Sequence, residues 1–124
     1  MRKDKYYIEL TEADVQKNRE EIIRLLRSTG REGIDNVIEH LDANNYFTYA
    51  ASKARHDSFY GGLAYYSLMV YREAMRIYEA EKDITAKDVD PKSIIITTLL
   101  HDLCKLNRYP VLPGEKPQKI EYGK

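Results

Sequence analysis

The segment at residues 94–105, IIITTLLHDLCK, places three side chains capable of chemistry at the end of an apolar run: His101, Asp102 and Lys105. An imidazole, a carboxylate and an ammonium are costly to bury among Ile and Leu unless each has a partner, typically a metal or a phosphate. On a helix, His101 and Lys105 lie on one face, and Asp102 is rotated by about 100° from His101. The His–Asp pair can then hold one ion, so the first interpretation is a chemically active site or the remnant of one.

The composition limits what the chain can do. Its 124 residues are enough for one modest domain with a single core. The charges of twenty basic and twenty acidic residues cancel, so the protein has no strong overall electrostatic field that would attract nucleic acid or an anionic membrane. The only cysteine, Cys104, excludes an internal disulfide, and its apolar neighbours predict a buried thiol. The N-terminus does not resemble a secretory signal, and the longest apolar run is too short to span a bilayer. We therefore expect a soluble, cytoplasmic protein.

Hydrophobic periodicity predicts three helices in the first eighty residues. Thr11 and Asp14 form a variant of the capping box and start a helix over residues 12–28, which Gly30 ends. A second helix begins near residue 34 and stops at Asn44–Asn45. The third and longest covers residues 59–80, with one stripe predicted to be buried. Its members advance by three or four residues: Leu63, Tyr66, Val70, Ala74 and Ile77.

Asp90 and Pro91 predict the start of the helix that carries the His–Asp pair, because Asp accepts bonds from first-turn amides and Pro fits the first helical position. We expect it to run over residues 91–106, before prolines break the regularity. Short strands are conceivable only at residues 6–10 and 120–122. The predicted fold is all-α, a small bundle of four to five helices. The predicted organisation is an N-terminal extension at 1–10, a helical domain at 11–109 and an irregular tail at 110–124.

Two longer stretches, FTYAASKARHDSFYGGLAYYSLMVY and TTLLHDLCKLNRY, carry a family resemblance. Together they resemble the HD-domain metal-dependent phosphohydrolases. The similarity is greatest to a branch of phage and bacterial genomes with motifs that read roughly GGLLEHSL-x-VY and LLHDLCK-x-N-x-Y. It covers residues 34–109 and implies a helical bundle. It also implies four metal ligands: the histidine of the EHS segment, the His and Asp of the HD pair, and an aspartate on a later helix.

The resemblance assigns some of these roles to residues of this chain and leaves the others without a matching residue. His101 and Asp102 match the HD pair as metal ligands, and Lys105 matches the lysine that follows, for which we expect a catalytic role on a phosphate. Tyr66 stands where the first histidine ligand belongs, and a phenol is a poor ligand at neutral pH. No aspartate follows Asp102 in the chain. Two of the four expected ligands are therefore missing.

Other residues are candidates for the remaining roles. His56 precedes the Gly–Gly pair and is our third predicted metal ligand. Arg55 and Tyr66 are predicted to contact substrate, although Tyr66 also fits a packed core tyrosine. A divalent metal, Mn, Fe or Mg, is the expected cofactor, bound weakly or not at all. The expected partner is a phosphate-containing small molecule. No membrane partner is expected, and a homodimer is left open.

Three hypotheses follow. In the preferred one, the protein is a degenerate HD domain that serves as a binding or interaction module without turnover, and His101, Asp102 and Lys105 are a hydrogen-bonded remnant. In the second, it is an active phosphohydrolase on a nucleotide or nucleic-acid phosphate, with His56 recruited to the metal. In the third, the chain is the front part of a longer hydrolase, and apolar surface is exposed on the HD helix.

Overall fold

The computed structural model of the protein describes residues 9–51, 59–108, 110–111 and 113. Within these ranges the chain is helical and contains no strand. The elements are α1 Glu12–Ser28, α2 Ile34–Ala43, α3 Gly62–Glu81, α4 Pro91–Leu100 and a 3-10 turn at Leu103–Lys105. The all-α bundle predicted from the sequence is confirmed. The short strands considered at residues 6–10 and 120–122 lie largely or wholly outside the described residues.

Two helix starts follow their local sequence signals. Thr11 caps α1 by accepting a hydrogen bond from the Asp14 amide, and the Asp14 carboxylate accepts one from the Thr11 amide in return. At α4, the Asp90 carboxylate accepts a hydrogen bond of 2.9 Å from the Lys92 amide, and Pro91 occupies the first helical position. Both predicted caps are confirmed, because each satisfies amides that a helix start leaves without an internal partner.

The core lies where α1 contacts each of the other helices and α4 packs along α3. Its largest fully buried side chains come from the four α-helices and from the loop after α2. They are Ile22, Leu26, Leu41, Tyr46, Leu63, Ser67, Leu68 and Leu99. No helix in the described part of the chain is long and apolar enough to cross a membrane.

The helix α3 begins at Gly62, three residues later than the sequence predicted. Gly61 precedes it in the left-handed conformation with φ of 76°, which glycine adopts without strain. A Cβ atom at Gly61 would lie 2.6 Å from Cγ2 of Val15, so this position also requires the absence of a side chain. At the other end, the prediction that Ile77 is buried is wrong, because α3 projects beyond the core and Ile77 is 52% exposed.

The helix α4 ends at Leu100, so the prediction that it continues to residue 106 is wrong. Side chains take two of its terminal carbonyls: a ring nitrogen of His101 lies 2.6 Å from the Thr98 oxygen, and the Tyr46 hydroxyl donates to Leu99. Such capping satisfies carbonyls that have no donor within the helix. The chain then turns outward, which leaves Cys104 exposed and contradicts the prediction of a buried thiol.

Candidate functional site

His101, Asp102 and Lys105 meet just after the end of α4. The Asp102 carboxylate oxygen Oδ2 lies 3.4 Å from Nε2 of His101 and 3.6 Å from Nζ of Lys105. The sequence predicted His101 and Lys105 on one helical face, with Asp102 rotated by about 100° from His101. The structure instead brings the three side chains together through a turn followed by a 3-10 turn, because α4 has already ended. We call these three residues the HDK cluster.

The imidazole of His101 is oriented by its own helix. Its Nδ1 atom lies 2.6 Å from the Thr98 carbonyl oxygen, and because a carbonyl can only accept, Nδ1 must carry the proton. The remaining nitrogen, Nε2, therefore faces the Asp102 carboxylate. In neutral His101, Nε2 offers a lone pair toward another acceptor, and in protonated His101 it offers an N–H donor.

The carboxylate of Asp102 is the most enclosed part of the HDK cluster. Its side chain is 14% exposed, against 30% for His101 and 23% for Lys105. The Oδ2 atom is buried and makes no hydrogen bond within the described residues. The two basic side chains thus lie nearer the solvent, with the carboxylate beneath them.

Tyr46 lies in the core close enough to Asp102 for the two to interact electrostatically, and Ser67 neighbours Tyr46. Tyr46 is fully buried and donates a hydrogen bond of 2.5 Å to the Leu99 carbonyl. Burial raises the pKa of the Tyr46 phenol well above its ordinary value, and the Asp102 charge raises it further. The neighbouring Ser67 hydroxyl acts on this pKa in the opposite direction, but it is not in good hydrogen-bond geometry with any described partner. Tyr46 therefore remains a neutral donor.

Tyr66, which the sequence predicted to contact substrate, lies beside the HDK cluster. Its ring centroid lies 5.6 Å from that of His101, with the two planes inclined by 52°. The same side chain is half-buried and packs against the core, which fits the alternative of a packed tyrosine. Tyr66 therefore places a phenol, in contact with the His101 ring, at the position where the resemblance expects the first histidine ligand.

Two predicted site residues, Arg55 and His56, lie outside the described residues. Their assignments to substrate and to metal remain predictions. The third histidine of the chain, His40, is exposed on α2, with Nδ1 3.3 Å from the Asn44 side-chain amide nitrogen.

The donor atoms of the HDK cluster fit part of a metal site. Two ligands at roughly 2.0–2.2 Å from one tetrahedral ion lie about 3.4 Å apart, which is compatible with Nε2 of His101 and Oδ2 of Asp102. However, no group of three or more His, Cys, Asp or Glu residues suited to a metal occurs among residues 9–51 and 59–108. Lys105 also directs its ammonium at the same oxygen. The described residues alone do not complete a metal centre.

Two open clefts lie away from the HDK cluster, along α1. One, with a volume of about 270 Å³, is lined by Arg19, Phe47 and Tyr60 among others, and the other, of about 880 Å³, follows the groove between α1 and α2. Arg19 contributes to both, and its guanidinium is engaged with Asp42 at 2.6 and 2.9 Å. Among the described residues that line the two clefts, none is predicted to bind metal or substrate.

Hydrogen-bonding roles for Tyr46, Ser67 and Asn107 were not predicted from the sequence. Asn107 follows the HDK cluster and bonds to both Asn44 and Asn45. Two signals were present, because the family motifs quoted above contain a serine at position 67 and an asparagine at position 107. For Tyr46 no local signal exists, since its partner Leu99 is 53 residues away.

Comparison of the chain with family models, with curated proteins and with solved structures finds no match.

Proposed function

We propose that this protein is a non-catalytic binding module of HD-domain descent, and that its HDK cluster binds a phosphate-containing small molecule. The observation that carries the proposal is the order of exposure within the cluster. The ammonium of Lys105 and the imidazole of His101 lie outside, and the carboxylate of Asp102 lies beneath them. A surface lined by basic groups attracts an anion.

The Asp102 carboxylate is also occupied by the protein's own cation. Lys105 approaches its buried oxygen to 3.6 Å, which neutralises part of the charge that a divalent metal would require. Tyr66, where the resemblance expects a histidine, packs near the His101 ring at a centroid distance of 5.6 Å. Both contacts support a site that has exchanged metal chemistry for binding.

Isothermal titration calorimetry with inorganic phosphate tests the binding step. Lys105→Met keeps the aliphatic stem and removes the charge, and we expect binding to weaken roughly tenfold, since a hydrogen bond to a charged group contributes about 1.5 kcal/mol. Lys92→Met, in the exposed first turn of α4, is the matched control and should bind as the unmodified protein does. Equal affinity in all three proteins would overturn the proposed phosphate site.

A second candidate, an active metal-dependent phosphohydrolase, is favoured by one observation. The Thr98 carbonyl fixes the proton of His101 on Nδ1, which leaves Nε2 available beside a carboxylate, as in histidine metal ligands. Elemental mass spectrometry after incubation with Mn, Fe or Mg, combined with hydrolysis of bis-p-nitrophenyl phosphate, separates the two candidates. Metal-stimulated turnover that disappears in Asp102→Asn would establish the hydrolase and overturn the non-catalytic module.

A further inference from the structure

The chain is held at two points that bracket the HDK cluster, and both anchors come from the loop after α2. Before the cluster, the hydroxyl of Tyr46 donates to the Leu99 carbonyl at 2.5 Å. After it, Asn107 accepts from the Asn45 side-chain amide at 2.8 Å and donates to the Asn44 side-chain oxygen at 2.9 Å. The seven residues between these anchors include the whole cluster.

The first anchor fixes the point at which the chain leaves α4. Leu99 supplies one of the last four carbonyls of the helix, which have no intrahelical donor. Tyr46 satisfies this carbonyl, and the His101 ring satisfies that of Thr98. Because Tyr46 is fully buried, no water competes for its hydrogen bond. The orientation of His101 therefore depends on the helix end that Tyr46 holds.

The second anchor is exposed and is made by side-chain amides. Asn45 and Asn107 both have positive φ, 63° and 61°, a conformation that asparagine tolerates better than most residues. Asn44 is tied in turn to the end of α2, where its amide donates to the His40 carbonyl at 2.9 Å. The segment after Lys105 is thus connected to the end of α2.

The same loop holds the start of α3. The carbonyls of Thr48 and Tyr49 accept hydrogen bonds from the amides of Gly61 and Leu63, at 2.7 and 3.0 Å. Tyr66, which contacts the His101 ring, follows one turn later on this helix. Residues 44–49 therefore contact both chain segments that bring side chains to the cluster.

We infer that residues 44–49 are the positioning element of the HDK cluster, with Tyr46 and the Asn44–Asn45 pair as its positioning residues. They contact the Leu99 carbonyl before the cluster and the Asn107 side chain after it. They act on a ligand only through His101, Asp102 and Lys105. The orientation of the cluster follows from the contacts above, whereas its consequence for phosphate binding rests on the proposed function.

The test uses Tyr46→Phe, which keeps the buried ring and removes the donor, with Tyr71→Phe on α3 as the matched control. The readout is the ¹⁵N chemical shifts of the His101 ring nitrogens, which report where the proton resides, a property that a uniform loss of stability leaves unchanged. We expect the unmodified protein and Tyr71→Phe to carry the proton on Nδ1. In Tyr46→Phe the shifts should move toward a mixture of the two tautomers, and phosphate affinity should fall several-fold.

A surface variant keeps the inference testable if Tyr46→Phe does not fold. Asn107→Gly retains the positive φ and removes both amide bonds, so it should shift the His101 signals in the same direction by a smaller amount. Unchanged His101 shifts in a folded Tyr46→Phe, or in Asn107→Gly where Tyr46→Phe fails to fold, would overturn the inference. If the shifts move but no variant or parent binds phosphate, the positioning element stands and the proposed function fails.

Discussion

Replacing Tyr46 with Phe should destabilise the protein at neutral pH. The substitution keeps the ring in its fully buried site and removes the hydroxyl that donates to the Leu99 carbonyl. A buried acceptor left without a donor costs about 1–3 kcal/mol in the free energy of unfolding. For a domain of this size, that corresponds to a fall in Tm of roughly 4–12 °C.

The same variant should also change how the free energy of unfolding depends on pH in the alkaline range. The pKa of Tyr46 is raised in the folded protein, chiefly by burial, above its ordinary value of 10.0. As pH rises past 10, the unfolded chain releases the phenolic proton before the folded protein does, so stability is lost with rising pH until the folded pKa is reached. The unmodified protein should lose about 1.4 kcal/mol from this group by pH 11, and Tyr46→Phe should lose none of it.

Urea unfolding followed by circular dichroism at pH 7, 9 and 11 measures both effects. The difference in unfolding free energy between the parent and Tyr46→Phe should be largest at pH 7 and should shrink by pH 11. Tyr71→Phe, which removes a phenol from the half-buried face of α3, controls for the general titration of tyrosines. An equal free energy of unfolding for the parent and Tyr46→Phe at pH 7 would refute the role assigned to the buried hydrogen bond. Parallel stability curves across this pH range would refute the raised pKa of Tyr46.

Two further predictions concern the framework around the site. Gly61→Ala should cost roughly 1–3 kcal/mol more than Gly33→Ala in urea unfolding, because both have positive φ but only the former drives a Cβ atom to 2.6 Å from Val15; equal losses would contradict the steric reason. The hydrogen bond from Arg19 lowers the pKa of Asp42, so this pair stabilises the fold above about pH 3.8 and less as pH falls. Arg19→Gln should therefore reduce the loss of unfolding free energy between pH 5 and pH 2.5. An unchanged loss would refute the pairing.

Local signals in the sequence account for most of the helical framework. The capping box at Thr11 and the Asp90–Pro91 start were both predictable, because a cap involves residues two or three positions apart. The period of apolar residues predicted α1 and α2 for the same reason. These features depend on chain geometry over one or two turns, which the order of residues already fixes.

The errors occurred where distant parts of the chain meet. An apolar run with no marked amphipathic face gave no reason to end α4 at Leu100, and the Tyr46 hydroxyl that caps it comes from another loop. Ile77 continued the apolar stripe of α3, but it is 52% exposed, so none of the described helices covers it. Periodicity indicates which face is apolar and does not reveal where the packing partner stops.

Local sequence patterns are enough to predict an all-α chain, the start of most of its helices, and a histidine, an aspartate and a lysine close together at the end of an apolar run. Those properties depend on neighbours within a few residues. Tertiary contacts place this cluster beyond the helix end, with its carboxylate beneath two basic groups and Tyr66 against the imidazole. Its geometry depends on contacts across more than fifty residues, such as that of Tyr46 with Leu99, which no local pattern encodes.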